Sequence, residues 1–147
     1  MNNVDLKNKF SIYILFSIFF SVFYLYIKHD ISNDSSISEW LINYHGGFTR
    51  RGLGGEINIF LSNIFNISLR QSIFFLQSII HVSYLIIILK YFKDLKFNII
   101  QIFALFTPIF ILYPIAEIEV LGRKEMLLFL FFIGSIVLSE KRYSATI

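Results

Sequence analysis

Four apolar segments, separated by polar and charged stretches, dominate the chain. They cover residues 10–27, 71–89, 97–116 and 126–138. As a helix, a run of roughly 20 apolar residues matches the hydrocarbon core of a bilayer. The pattern therefore predicts an all-α integral membrane protein. Residues 1–147 are expected to form a single membrane domain with about four transmembrane helices.

The third and fourth segments carry local features that affect how they cross a bilayer. Pro108 and Pro114 lie in the third segment, where proline bends a membrane helix and is tolerated when neighbours satisfy the freed carbonyls. The fourth segment is only about 20 Å long as a helix. It spans a bilayer only if flanking basic side chains, such as those of Lys141 and Arg142, extend to the headgroups.

The connection between the first two segments, residues 28–70, has a periodicity of its own. Residues 36–44 place Ile37, Trp40, Leu41 and Tyr44 on one side of a helix, which Gly46 and Gly47 then end. Residues 56–69 alternate apolar and polar positions at helical spacing. Trp and Tyr favour the headgroup level, so the pattern predicts two short interfacial helices in this first outer loop.

Composition supports a membrane location and narrows the partners. The 147 residues are 56% hydrophobic and 16% charged, whereas soluble domains carry about 25% charged residues. The chain has no cysteine, so it has neither a disulfide framework nor a thiolate metal site. The net charge of +3 comes without a nucleic-acid-binding motif or a basic stripe. The expected partner is therefore the lipid bilayer, and nucleic acid is not expected.

The distribution of lysine and arginine predicts the orientation. Basic residues are denser in residues 1–9, 90–96 and 139–147 than in residues 28–70 and 117–125. Because cytoplasmic segments carry the excess of lysine and arginine, both termini are expected in the cytoplasm. The two less basic connections would then emerge on the same outer face.

The stretch NYHGGFTRRGLGGE, residues 43–56, is the strongest candidate for a binding site. It holds five of the seven glycines, beside Arg50 and Arg51. Glycines such as Gly46 and Gly47 let a ligand approach the backbone and leave amide N–H groups available to an anion. Arginine supplies forked donors suited to phosphate. A lipid phosphate is the anion present at that depth.

Further candidates for this site lie in the loop and in the second outer connection. Arg123 and Lys124 are expected to close on the same phosphate, and His45 lies beside the glycines. The candidates for a general base or for a ligand of a divalent cation are the carboxylates of Asp30, Glu56, Glu117, Glu119 and Glu125. No second histidine is placed to pair with His45, so no metal-site residues are predicted.

Simpler explanations exist for each of these features. The two arginines of the loop are equally suited to contact lipid headgroups or to pair with Glu56 and Asp34, and glycine pairs also mark sharp turns. Glu117 and Glu119 end a predicted span, where solvated acids are common. His81 lies within the second span, and an interhelical hydrogen bond is favoured over a role as a ligand.

The stretch WLINYHGGFTRRGLGGEI, residues 40–57, resembles a signature of bacterial multi-span membrane proteins associated with surface-polysaccharide assembly. The later GRKE, residues 122–125, is similar to their second signature. Such proteins resemble membrane glycosyltransferases of the GT-C type, which use a polyprenyl-phosphate-linked sugar. The resemblance implies a location in the bacterial inner membrane. It also implies that Asp30 or Glu56 acts as base or metal ligand.

Two classes of function follow from the sequence. The first is a GT-C-like glycosyltransferase, or a truncated relative, that binds a polyprenyl-phosphate sugar on the extracytoplasmic face. The alternative is a non-enzymatic subunit whose basic outer loop docks a partner or anionic lipid. Enzymes of this type have more spans than the four predicted here. The chain is therefore expected to be the N-terminal part of a longer protein, or a small relative that works with other membrane subunits or as a homo-oligomer. A third interpretation of the sequence is a transporter.

Overall fold

The computed structural model describes residues 3–30, 35–93, 100 and 121–144, and every regular element in these residues is helical. The helices are α1 (Asn3–Asp30), α2 (Ser35–Leu41), α3 (Leu53–Phe65), α4 (Leu69–Lys93) and α5 (Glu125–Ser144). The predicted third span, residues 97–116 with its two prolines, lies outside the described residues apart from residue 100. The all-helical part of the prediction is confirmed for the described part of the chain.

Two of the four predicted spans are confirmed as helices long and apolar enough to cross a membrane. These are the 26 residues Asp5–Asp30 of α1 and the 24 residues Leu69–Phe92 of α4. The apolar part of α5, Glu125–Ser139, is shorter than those two helices and than the roughly 20 residues that a bilayer core requires. The prediction of a fourth span therefore remains a prediction.

Helix α4 lies at the centre of the described structure and contacts α1, α2, α3 and α5. Its buried side chains include Ile73, Leu85 and Ile88, which pack with Ile14 of α1 and Ile133 of α5 in one apolar cluster. Since α4 contacts every other helix in the described residues, it fixes where the short helices of the loop lie.

Polar side chains lie inside the helix pair and large apolar ones lie outside it. Ser21 of α1 and His81 of α4 are buried, and His81 Nε2 lies 3.0 Å from Ser21 Oγ. Phe19 of α1, by contrast, is 71% exposed. The predicted interhelical hydrogen bond of His81 is thus confirmed. Within α1, the Ser21 hydroxyl also donates to the carbonyl of Ser17 at 2.6 Å, so it needs no partner from another helix.

The first helix of the loop ends earlier than predicted. Helix α2 stops at Leu41, which leaves Tyr44 in the loop instead of on the helix. The reason is that backbone amides beyond Leu41 donate to side-chain oxygens instead of to carbonyls of the helix. The Tyr44 N–H donates to Glu56 Oε1 at 2.8 Å, and the His45 N–H donates to Asn43 Oδ1 at 3.0 Å.

The burial of the single tryptophan was not predicted. Trp40 is only 1% exposed, so its ring packs against protein atoms and not against lipid. Its depth relative to the headgroups stays a prediction. Its indole N–H donates to the Gly122 carbonyl at 2.6 Å. A tryptophan with a buried partner for its N–H stabilises a protein interior as well as a membrane interface.

Helix α3 confirms the predicted helical periodicity, with its apolar face directed outwards. Ile57, Phe60 and Ile64 are exposed, whereas Asn58 is buried. The Asn58 amide donates to the Gly54 carbonyl at 2.9 Å, and the Ser72 hydroxyl donates to Asn58 Oδ1 at 3.1 Å. The part of α3 that carries Asn58 therefore packs on the protein.

Candidate functional site

The carbonyl oxygen of Gly122 is the point where the GRKE motif joins the helices. It accepts hydrogen bonds from Trp40 Nε1 at 2.6 Å and from Gln77 Nε2 at 2.7 Å. The Lys28 ammonium donates to the neighbouring Leu121 carbonyl at 3.5 Å. Gly122 has φ +90°, a conformation that glycine adopts at little cost. Residues 121–122 thereby contact α1, α2 and α4 together.

Glu56 holds the glycine-rich loop closed. Its Oε1 accepts the Tyr44 N–H at 2.8 Å and lies 3.4 Å from His45 Nδ1. Glu56 lies in the first turn of α3, where a negative charge is favoured by the helix dipole. The carboxylate that the sequence offered as a catalytic base therefore also has a structural role in linking the two sides of the loop.

Two glycines of the loop are required for close packing. A Cβ at Gly55 would overlap the Ile42 carbonyl, and one at Gly52 would overlap the Tyr44 ring. Gly46 and Gly47 differ, because a Cβ there would meet nothing within 4 Å. Both glycines are exposed at the loop tip, where Gly47 has φ +117° and its N–H donates to the Tyr44 carbonyl at 3.0 Å.

Lys124 connects the two sequence motifs directly. Its ammonium donates to the Arg51 carbonyl at 2.8 Å and lies 5.8 Å from the centre of the Trp40 ring. Gly54 is what allows this approach, since a Cβ there would lie 3.2 Å from the Lys124 side chain. Burial lowers the pKa of Lys124 below its ordinary value, Glu39 opposes that shift, and the charge of Arg51 adds to it.

The cations of the candidate site have different surroundings. The Arg51 guanidinium lies 3.6 Å from the Glu39 carboxylate, with its side chain 65% exposed. Arg50 and Arg123 are exposed. The structure thus brings Arg51 and Lys124 together, with Arg50 and Arg123 as their chain neighbours, and all four belong to one surface region of the protein.

Asp30 is not part of this region. It lines a cavity formed by the end of α1 and the start of α4, and no residue of 43–56 lines that cavity. The two candidate carboxylates, Asp30 and Glu56, therefore lie in separate regions of the structure. Glu117 and Glu119 lie outside the described residues. Within the described ranges, His, Asp and Glu side chains do not form any group of three suited to a metal ion.

Three residues of the site were missed from the sequence. Glu39 pairs with Arg51, Trp40 lies beneath Lys124, and Gln77 binds the Gly122 carbonyl. Gln77 did carry a signal, because an amide side chain inside an apolar span needs a hydrogen-bond partner. The sequence could not identify that partner, which lies 45 residues further along the chain.

Comparisons with protein-family models, with curated proteins and with solved structures found no match to this chain. What the site can do is therefore inferred from its own chemistry. The exposed Arg50 and Arg123 side chains lie in the same region as the Lys124 ammonium, and each guanidinium carries five N–H donors. Such an arrangement suits an anion with several oxygens, such as a phosphate.

We expect Gly122→Ala to lower the stability of the fold by about 1–3 kcal/mol, because a positive φ is strained for alanine. The added Cβ would also lie 3.2 Å from Gln77 Nε2 and 3.3 Å from the Leu25 side chain. Thermal unfolding of the purified protein in detergent measures the change. Gly134→Ala is the matched control, since its Cβ would enter open space within α5. Equal melting temperatures for the two variants would contradict the role assigned to Gly122.

Proposed function

We propose that the chain is a multi-pass protein of the bacterial inner membrane that binds a lipid-linked sugar phosphate on the extracytoplasmic face. The observation that carries the proposal is the contact between Lys124 and the Arg51 carbonyl at 2.8 Å. It draws two basic motifs, 73 residues apart in the sequence, into one region. The termini are expected in the cytoplasm.

The distribution of polar and apolar side chains supports a membrane location. In a soluble protein, a core helix of this hydropathy would be mostly buried, yet 28% of the apolar window of α1 and 44% of that of α4 are buried. The outer surface of α1 exposes Phe16, Phe19 and Phe23. Such a surface is unfavourable in water. Lipid removes that cost, while the buried His81 Nε2 lies 3.0 Å from Ser21 Oγ inside the helix pair.

The charge around the loop supports a phosphate ligand. Arg51 is partly offset by Glu39 at 3.6 Å, and His45 by Glu56 at 3.4 Å. Arg50, Arg123 and Lys124 add three further positive charges. An anion that contacts the arginines gains charge-assisted hydrogen bonds. The phosphate of a lipid-linked sugar supplies that anion, and the bilayer brings it to the level of the loop.

As a glycosyltransferase of the GT-C type, the protein would use Glu56 as the general base. The acceptor hydroxyl would lose its proton to the carboxylate, and its oxygen would bond to the anomeric carbon. The bond from that carbon to the phosphate oxygen would break with its electron pair. Arg51 and Lys124 would stabilise the charge left on the polyprenyl phosphate.

Cysteine labelling tests the location, because the chain has no cysteine of its own. In intact cells, a membrane-impermeant maleimide is expected to label Thr49→Cys and Arg123→Cys from outside, since both positions are exposed in the region that Lys124 and Arg51 join. Phe19→Cys is expected to stay unlabelled even in opened membranes, because lipid covers it. Labelling of either loop position only after lysis would contradict the extracytoplasmic assignment.

Arg51→Gln tests the binding of phosphate. We expect about a tenfold weaker binding of polyprenyl phosphate by the purified protein, as for the loss of one charge-assisted hydrogen bond. Binding of the uncharged polyprenyl alcohol should not change. Lys90→Gln, an exposed cation near the opposite end of α4, is the control. Equal affinities of wild type and Arg51→Gln for the phosphate would refute the proposed ligand.

A second candidate is the non-enzymatic subunit, and two observations favour it. The Glu56 carboxylate already accepts the Tyr44 N–H, and Phe48 is 90% exposed while it stacks on the Tyr44 ring at 5.6 Å. An exposed aromatic beside two arginines is typical of a protein-binding surface.

Glu56→Gln separates the two candidates, because a glutamine oxygen still accepts the Tyr44 N–H but is no base. For an enzyme, we expect the release of polyprenyl phosphate from its glycosylated form to fall by about 10²-fold or more in membranes, with phosphate binding unchanged. A transfer rate equal to that of wild type would exclude Glu56 as the base. Loss of a co-purifying subunit on reversal of both loop arginines to glutamate would then support the docking role.

A further inference from the structure

Two cavities meet at Phe75 on α4, apart from the loop site. The first, of about 300 Å³, has Asp30 and Arg70 in its lining, with the His29 and Phe74 rings as walls. The second, of about 400 Å³, lies between α3 and α4 and is lined by Leu61, Phe65, Leu76 and Ile79. Phe75 lines both. A cavity with two charged residues in its lining therefore lies next to an apolar one.

The start of α4 is built firmly enough to hold this arrangement. The Ser68 N–H donates to Gln71 Oε1 at 3.0 Å, and the Gln71 N–H donates to Ser68 Oγ at 3.2 Å. This reciprocal pair is a capping box, which fixes the first turn of the helix. Arg70 lies within that turn. On α1, the His29 ring is held by its Nδ1 at 2.8 Å from the Leu25 carbonyl.

We propose that the two cavities form one binding site for a membrane phospholipid with a primary-amine headgroup. The phosphate would lie against Arg70, and the ammonium against Asp30. One acyl chain would follow the groove from Phe75 to Ile79, about 6 Å along α4.

The choice of this headgroup follows from charge complementarity. A guanidinium and a carboxylate line one cavity of about 300 Å³, and a zwitterion is complementary to both charges. A headgroup with a phosphate alone would meet Asp30 with like charge, and a quaternary amine has no N–H to donate to the carboxylate. The groove opens beside Ile79, which is 62% exposed, so the chain has a path to the bilayer.

This site is independent of the proposed function. Its lining residues belong to α1, α3, α4 and the 66–68 connection, and none belongs to residues 43–56 or 121–125. The failure of one proposal therefore leaves the other standing.

Native mass spectrometry of the full chain in detergent tests the proposal, with equal amounts of phosphatidylethanolamine, phosphatidylcholine and phosphatidylglycerol of the same acyl chains. We expect the ethanolamine lipid to be retained about tenfold more than the other two, as for one charge-assisted hydrogen bond. Asp30→Asn should remove that preference, and Asp30→Glu should keep it. Arg70→Gln should lower the retention of all three lipids, while Lys90→Gln should match wild type.

Two outcomes overturn the proposal. One is equal retention of the three lipids, or better retention of phosphatidylglycerol, by the wild-type protein. The other is an ethanolamine preference that survives in Asp30→Asn. Leu61→Trp provides a test that leaves both charges in place, because the indole fills the groove. It should lower the retention of every lipid, and unchanged retention there would exclude the groove as the chain site.

Discussion

The Gly122 carbonyl, buried between helices, accepts the indole N–H of Trp40 and the amide of Gln77. Each of these donors would be costly to bury without an acceptor, because a polar group in an apolar environment loses its water. One backbone oxygen satisfies both. The position of the second motif on the bundle depends on this junction, and so does the orientation of α2. Lys124 follows two residues later and reaches the loop only because Gly122 is fixed.

Two side chains that hold the loop, those of Glu56 and Lys124, each have two roles. Glu56 lies in the first turn of α3 and closes the loop through Tyr44. Lys124 holds the Arg51 carbonyl and also contributes positive charge to the surface. As a result, shape and charge are coupled in this region. A ligand that draws Lys124 away from the Arg51 carbonyl would also release the backbone between the two arginines and the start of α3.

Local patterns in the sequence predicted part of this arrangement well. The lengths of the apolar runs gave α1 and α4, because a helix in lipid satisfies its own backbone and needs only its residues to be apolar. The periodicity of residues 56–69 predicted α3, because apolar residues at helical spacing lie on one face of a helix. The early end of α2 and the burial of Trp40 could not be predicted, since their partners, Glu56 and Gly122, lie 12 and 82 residues away. The sequence predicted that Lys124 and Arg51 contact one phosphate, but not that Lys124 donates to the Arg51 carbonyl. The separation of Asp30 from Glu56 carried no local signal.

In the proposed membrane protein, the partners of the buried polar groups would also set an order of assembly in the bilayer. In α1, Ser17 and Ser21 donate to carbonyls of their own helix, four residues back, so α1 could enter lipid alone. Gln77 of α4 instead donates to a carbonyl that is synthesised 45 residues later. During translation, α4 would therefore leave the translocon with an unpaired amide donor. It is expected to stay close to α1, and to any insertion machinery, until residue 122 emerges and completes the bundle.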